Sequence, residues 1–331
     1  MKYIETGSTD PTFNLAAEQF VFENMDKSQE YFMLWQNDKS IIIGKNQNTF
    51  FEINHKFVME NGIQVVRRLS GGGAVYHDLG NLNFTYVVND DNNFNIINLH
   101  YFCEPILKVL CEMGINAEIS SRNDLTIQGK KISGNAQYKR DGRVMHHGTI
   151  MFDVNIENLV KALAGTEGKN ISKGIKSVKS RVANIKEYLS EDIEINSFKY
   201  MLLNNLFPHG IPQYIFSDKD IKSIKELQRT RYATYGWNYG SPLSDAITYK
   251  KGKINGCGTI EVALLVENNI ITFIKFYGDF FGNNDVDELS ALLTGHGYNY
   301  DEILSELQKY PLECYFHNIP SALELADILF K

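Results

Sequence analysis

The sequence predicts an α+β chain, with a large domain over residues 1–245 and a small α+β domain over 246–331. Three observations lead there. The 331 residues, 43% hydrophobic and 22% charged, have ordinary globular composition and are too many for a minimal module. Short apolar strand segments, some closed by turn signals, are interspersed with isolated helical segments. Near residue 240 the texture changes. The stretch Trp237-Asn238-Tyr239-Gly240-Ser241-Pro242 is aromatic and turn-rich, and a second run of strands and then helices follows it.

Taken in order, Asp10-Pro11 opens a helix to about Met25, because Pro suits a first turn and Phe13, Leu15, Ala16, Ala17, Phe20 and Val21 keep helical spacing. Tyr31–Trp35, Ser40–Gly44 and Gly62–Leu69 read as strands. The segment Ala74–Val88 reads as a hairpin turning at Gly80-Asn81. Ile106, Leu107, Leu110 and Met113 place a helix at Glu104–Met113. Asp124–Gln137 and Arg143–Asp153 read as paired strands joined at Asp141-Gly142, with helices around 157–164 and 197–206. Beyond the junction, Asp245–Lys250, Gly258–Val266 and Ile270–Tyr277 read as strands, the last two turning at Glu267-Asn268-Asn269. Two or three helices complete the chain.

Charge and cysteine usage exclude several function classes. The net charge is −7, so a general nucleic-acid binder with a broad basic face is not expected. No apolar run approaches bilayer length, and the MKYIETGSTD start lacks the basic and apolar regions of a signal peptide. Cys103, Cys111, Cys257 and Cys314 form no Cys-x-x-Cys pair and read as free thiols in a cytoplasmic protein. His146 and His147 are adjacent, which on a strand sends them to opposite faces and makes a poor metal chelate. Residues 285–331 hold nine acids and two bases, so the whole net charge resides there. Lys169, Lys173, Lys176, Lys179, Arg181 and Lys186 form a basic island with no acid between them. Taken by itself it is a solvated loop or a loop that meets an anion.

Two segments carry chemistry. Residues 67–78, Arg-Arg-Leu-Ser-Gly-Gly-Gly-Ala-Val-Tyr-His-Asp, follow an apolar run. Consecutive glycines let a ligand approach backbone amides, and flanking arginines suit phosphate or carboxylate. The spacing is not that of a Walker loop, nor of a dinucleotide fingerprint, because strands follow where a helix is required. Residues 122–137, Arg-Asn-Asp-Leu-Thr-Ile-Gln-Gly-Lys-Lys-Ile-Ser-Gly-Asn-Ala-Gln, place Leu125 and Ile127 on one core-facing side. Lys131 precedes the small residues Ser133 and Gly134. Lys130 beside it suits a plain surface position.

These stretches, with NLAAEQ at 14–19, LW at 34–35, IIIGKNQN at 41–48, HHGT at 146–149, GIKSVKSRVANI at 174–185 and YGWNYGSP at 235–242, resemble the lipoate–protein ligase A family of the lipoate and biotin ligase superfamily. The resemblance spans the chain to 242 and implies the mixed-sheet catalytic fold of those ligases. It implies that lipoate attacks ATP to give lipoyl-AMP, and that a lysine of a lipoyl domain then takes the lipoyl group. ATP and Mg²⁺ are the implied co-substrate and metal, with no tightly bound prosthetic group. The implied partners are the lipoyl domains of 2-oxoacid dehydrogenase acyltransferase subunits and the glycine-cleavage H protein. No nucleic acid or membrane partner is implied, and the chain is expected to be a monomer.

By the same resemblance, Lys131 matches the invariant lysine and bridges the lipoyl carbonyl oxygen and the α-phosphate as an electrostatic clamp. Arg68 matches the ligand-binding arginine. Gly71, Gly72, Gly73, Ala74, Val75 and Tyr76 match the nucleotide-contacting stretch. Ser70, His77, Asn81, Asn123 and Asp124 are candidates around it, each also explicable as turn or hairpin stabilisation. Trp35 lines the lipoyl tail or is plain strand core. His147 and Gly148 match a His-Gly pair on the lipoate side, with close packing sufficient to explain Gly148. Lys176, Ser177, Val178 and Arg181 belong to the adenylate-covering loop, which gives the basic island its functional reading.

Rival functions need different residues. A lipoyl or octanoyl amidotransferase needs a cysteine nucleophile just before the strand leading to the lysine, and Glu118–Asp124 has none. A lipoyltransferase using preformed lipoyl-AMP shares every motif. A non-catalytic binder has no need of intact Arg68, Lys131 and Gly71–Gly73, and biotin ligation is disfavoured by the Arg-Arg-Leu-Ser-Gly-Gly-Gly loop and the C-terminal unit.

Overall fold

The computed structural model describes residues 1–90, 98–120, 124–163, 178–241 and 243–331. The chain is α+β. Its largest sheet has the order β1 (Lys2–Ile4), β2 (Tyr31–Trp35), β6 (Asn81–Asn89), β11 (Arg143–Met151), β10 (Asn135–Arg140). β1 and β2 run parallel and the remaining pairs antiparallel, so the sheet is mixed.

The middle of this sheet is covered on both faces, which is why β2 is apolar throughout and β2, β6 and β11 are buried along nearly their whole length. In β2, Tyr31, Met33 and Trp35 pack with helix α1 (Pro11–Asn24), and Phe32 and Leu34 pack on the other side. The α1 helix begins as the sequence requires: Asp10 accepts from the Thr12 amide at 2.9 Å and Pro11 fills the first turn. Two short helices, α2 (Thr49–Glu52) and α3 (His55–Glu60), come next. The opposite face carries α4 (Leu99–Glu112), and α5 (Ile156–Leu163) lies nearer the second sheet. Helix α6 (Ile195–Leu206) packs on α4, burying Phe198 and Leu202 with Phe102, Ile106 and Val109. Helix α7 (Asp218–Leu227) lies on α1 and is followed by α8 (Tyr235–Tyr239).

A second sheet has the order β4 (Gln64–Arg67), β3 (Ser40–Ile43), β5 (Val75–His77), and a third the order β7 (Ala117–Ile119), β8 (Leu125–Ile127), β9 (Lys130–Ser133). Beyond residue 247, β12 (Thr248–Ile254), β13 (Gly258–Glu267) and β14 (Ile270–Gly278) form an antiparallel sheet. Four helices pack on it: α9 (Val286–Leu293), α10 (Tyr300–Leu307), α11 (Leu312–Tyr315) and α12 (Ala322–Phe330). This unit buries a core of its own, including Ile260, Phe276, Leu289, Phe316 and Leu325.

Several sequence expectations need correction. The expected hairpin over 74–88 does not form: β5 pairs with β3, whereas β6 pairs with β2 and β11. The turn is real, but it moves the chain between sheets. Gly80 sits where a Cβ would lie 2.0 Å from the Asp153 carbonyl oxygen, so only glycine lets the chain cross there. Asp124–Gln137 is not one strand. Gln128 and Gly129 have φ of 52° and 74° and fold β8 back on β9, and only β10 pairs with β11. Helix α4 starts at Leu99, capped by Asn98, and contains Pro105 in its interior. The junction read as turns contains α8, capped by Thr234, and ends at Gly240 with φ 77°. The closing helices number four. Among the described residues no helix is long and apolar enough to cross a membrane.

Candidate active site

A cleft of about 330 Å³ opens between the large sheet and the second sheet. Its floor is a row across the large sheet. Trp35 on β2 pairs with Asn83 on β6, and Asn83 pairs with Thr149 on β11. The Thr149 hydroxyl accepts from the Gly134 amide at 3.0 Å. At Gly134, a methyl group would lie 3.1 Å from the Lys131 ammonium, so the small residue leaves room for that side chain. Lys131 Nζ is 2.8 Å from the Asp124 carboxylate, and 41% of the lysine side chain remains exposed.

The opposite wall is the loop after β4. Arg68 is buried, and its guanidinium staples its own loop. It donates to Ser70 Oγ at 3.0 Å, to the Ile42 carbonyl at 3.2 Å, and to the Gly71 and Gly73 carbonyls at 2.5 and 3.0 Å. Burial pushes its pKa down to about 10. Gly72 takes φ 88°, a conformation that favours glycine. Arg67 is directed away from the cleft. It donates to the carbonyls of Gly44, Lys45, Gln47, Trp237 and Asn238 and to the Thr49 hydroxyl.

A buried polar chain links the loop to α1. Ser70 Oγ is 2.6 Å from His147 Nε2, and His147 Nδ1 lies 2.9 and 3.0 Å from the two Glu18 oxygens. Glu18 also accepts from Thr85 Oγ1 at 2.7 Å, which itself accepts from the Trp35 indole at 2.9 Å. Sequence reading gave Glu18 no role, since one acid within an apolar helix carries no sign of a partner 129 residues away.

Of the residues singled out from sequence, Trp35, Arg68, Gly72, Gly73, Ala74, Val75, His77, Asp124, Lys131, His147 and Gly148 line the cleft. Ser70 and Gly71 lie just behind it. Strand alternation sends the Tyr76 ring to the other side of β5, where it packs with Ile41 and Ile43. Asn81 donates to Asn83 at 2.9 Å from outside the cleft. At Gly148 a Cβ would lie 2.3 Å from the Phe84 ring and from the Asn135 side-chain oxygen. Asn123, Lys176 and Ser177 lie outside the described residues. Val178 and Arg181 are not in the lining, but their segment runs beside β9: the Lys131 amide donates to the Arg181 carbonyl at 2.7 Å. In the basic island, Lys186 is paired with Asp153 and Asp192 at 3.3 and 3.2 Å. Leu15, Ile42, Asn83, Thr149, Asp279 and Phe281 were not found from sequence. The last two come from the C-terminal unit. Its Phe280 carbonyl lies 3.4 Å from the Gly72 amide.

No cysteine lines the cleft. None of the four is in a disulfide; Cys103 and Cys257 are buried, which pushes their thiols up to about 12.

Comparison with known proteins decides the family. The lipoyl protein ligase A/B catalytic domain family matches residues 10–207, and the bacterial lipoate protein ligase C-terminus family matches 245–329. This chain belongs to the lipoate–protein ligase family. Among its relatives, the lipoate–protein ligase LplJ of Bacillus subtilis is 45% identical over 325 residues, covering 97% of each chain. Lipoate–protein ligase 1 of Staphylococcus aureus is 40% identical, covering 96% of this chain and 97% of its own. Among solved structures, P. falciparum LipL1 in complex with lipoate matches with a TM-score of 0.82 and 25% identity, over 100% of this chain and 99% of that one. A lipoate–protein ligase A bound with ATP matches with a TM-score of 0.61 and 26% identity, over 72% of this chain and 98% of that one. As a lipoate–protein ligase, the chain is an enzyme of the amide-forming ligase class.

Proposed function

We propose that this chain joins lipoate to a lysine of a lipoyl-domain protein in two steps within the cleft. First the lipoate carboxylate attacks the α-phosphorus of ATP, and pyrophosphate leaves. Then the neutral amine of the carrier lysine attacks the acyl carbon of lipoyl-AMP; an amide forms and AMP leaves. The observation that carries this reading is Lys131, a half-exposed cation at the end of the cleft floor, with no cysteine in the lining. Its ammonium has three donors on a flexible stem, enough to meet the acyl oxygen and an α-phosphate oxygen together. The first step gathers negative charge on the α-phosphate oxygens and the second on the acyl oxygen, so a fixed cation between them lowers both barriers. The glycine-loop backbone faces the nucleotide, and Arg68 acts by holding that loop. Val178 and Arg181, with Lys176 and Ser177, belong to the segment that covers the adenylate and limits its hydrolysis.

The cleft carboxylates are Asp124 and Asp279, and the described residues contain no group of three or more metal-ligating side chains. That donor set fits Mg²⁺ held mainly by substrate phosphates with one carboxylate, and Asp124 beside Lys131 is the residue that would take it. The ion would supply charge neutralisation on the phosphates. The carriers in this reading are acyltransferase subunits of 2-oxoacid dehydrogenases and the glycine-cleavage H protein. Four free thiols support a cytoplasmic place.

The test follows each half-reaction separately. Purified protein with ATP and lipoate should release pyrophosphate without any carrier, and added lipoyl domain should then be lipoylated. Transfer from supplied lipoyl-AMP without pyrophosphate release would instead make it a lipoyltransferase.

A further inference from the structure

Two buried donors on residues that line the cleft have no acceptor among the described residues. His77 is 2% exposed, and its Nε2 has no hydrogen-bond partner in the structure. Its tautomer follows from its neighbours. Asn14 Nδ2 donates to Asn37 Oδ1 at 2.9 Å, so the amide Nδ2 of Asn37 faces His77 Nδ1 at 3.1 Å. An amide nitrogen only donates, so Nδ1 accepts and Nε2 carries the hydrogen. Burial, with the Arg68 charge nearby, lowers the His77 pKa to about 3, so the ring is neutral near pH 7. Asn83 is also 2% exposed. Its Oδ1 accepts from Asn81 at 2.9 Å, which leaves its Nδ2 unpaired. Unpaired buried donors are costly, and a ligand that supplies an acceptor relieves that cost.

Their place in the cleft selects the acceptor. Asn83 sits between Trp35 and Thr149 in the row that ends at Gly134 and Lys131. Neighbouring strands are about 4.8 Å apart, which puts Asn83 roughly 10 Å from the Lys131 end. Around it the lining is apolar, with Leu15, Trp35 and Ile42. An acid whose carboxyl lies at Lys131 carries its far end to this place. The group that fits there is bulky, uncharged and polarisable, with weak acceptor atoms. A dithiolane ring has these properties.

We propose that His77 Nε2–H and the Asn83 amide donate to the dithiolane sulfurs, and thereby discriminate lipoate from a fatty acid of the same chain length. The inference rests on the reading that this cleft holds lipoate. A hydrocarbon tail would leave both donors buried and unmatched, which is how a polar site rejects an apolar analogue.

The experiment compares lipoate with its cyclopentane analogue, in which methylene groups replace both sulfurs, and with octanoate. Binding to the unaltered protein is measured by calorimetry without ATP, where lipoate should bind about tenfold tighter than the analogue. In Asn83→Leu and His77→Phe, the ratio of kcat/KM for lipoate over octanoate should fall about tenfold. Equal binding of lipoate and the cyclopentane analogue overturns the proposal without any variant. Equal losses for all acids also overturn it, because the donors then hold the shared carboxyl. So does a raised KM for ATP with the acid ratio intact, which assigns them to the nucleotide. If no acid supports pyrophosphate release while the calorimetric preference persists, the catalytic reading fails and this one stands.

Discussion

The two walls of the cleft treat positive charge in opposite ways. On the glycine-loop wall, Arg67 and Arg68 are buried, and they donate to backbone carbonyls and hydroxyls of their own surroundings. Burial lowers both guanidinium pKa values to about 10. On the other wall, Lys131 stays half-exposed with the Asp124 carboxylate as its ion-pair partner. Positive charge beside a glycine-rich loop is therefore not the same as charge available to a ligand. The buried arginines hold the wall, and Lys131 is a cation left half-exposed in the cleft.

The largest expected effect tests the lysine side of this contrast. Lys131→Ala should keep its fold by circular dichroism and lose about a hundredfold in adenylate formation, roughly 3 kcal/mol. Lys130→Ala, its neighbour on β9, should change the rate only a few-fold. Near-normal pyrophosphate release by a folded Lys131→Ala protein would erase the distinction between the walls.

Arg67→Ala tests the other side and should act on stability. Stranding its buried acceptors should cost about 2–3 kcal/mol, read as a lower urea midpoint. Arg67→Lys should not restore it, because a point charge cannot span those carbonyls. An equally stable Arg67→Ala protein unable to bind ATP would make both walls alike.

Phe281→Ala addresses the part of the wall that the small domain supplies. With the Phe281 ring no longer against Gly72, lipoate activation should fall about tenfold, and transfer from supplied lipoyl-AMP should fall less. In this picture the carrier docks on the large domain, away from the acidic residues 285–331, and the small domain gates the cleft. The gating picture fails if transfer collapses while adenylation survives.

Smaller again is a pH effect from the end of β5 in the second sheet. His77 is neutral when folded, with a pKa near 3, whereas the unfolded chain binds the proton near 6.5. Stability from this group is full above about pH 6.5 and is lost as pH falls towards 3, by at most about 1.4 kcal/mol per pH unit. Urea midpoints at neutral and mildly acidic pH should show it, and His77→Phe should flatten the slope. An unchanged slope would mean that acid sensitivity arises elsewhere. The smallest expected effect is none at all: replacing the four cysteines by Ser or Ala should preserve ATP-dependent activity after correction for stability. A trapped acyl-enzyme thioester would contradict that.

What could be read from sequence differs by region for physical reasons. The place of Lys131 and the glycine loop in one cleft was expected only through the family resemblance, which their contiguous motifs carried; a lone lysine reads as a surface residue. The α1 helix was legible from its cap, Asp10-Pro11, and its spacing. Glu18 was not, because its partners His147 and Thr85 lie on strands far along the chain. The Gly80 turn signal was correctly seen, but a turn does not say which sheet receives the next strand. Asp279 and Phe281 were hidden because nothing local in the small domain shows that it faces Gly72. Arg67 was read with Arg68 as charge suited to an anion, because the carbonyls that hold Arg67 away from the cleft gather around it only on folding.

The closing of one cleft wall by Asp279 and Phe281 sets an order of events during synthesis. Translation delivers Lys131, the glycine loop and the whole floor row long before those two residues. Domains tend to fold as units from the N-terminus as the chain emerges. A nascent chain thus has Lys131 in place while its cleft still lacks a wall. The ribosome must finish the small domain, whose buried core runs on to Leu329, before that wall can form, so prematurely terminated chains lack it.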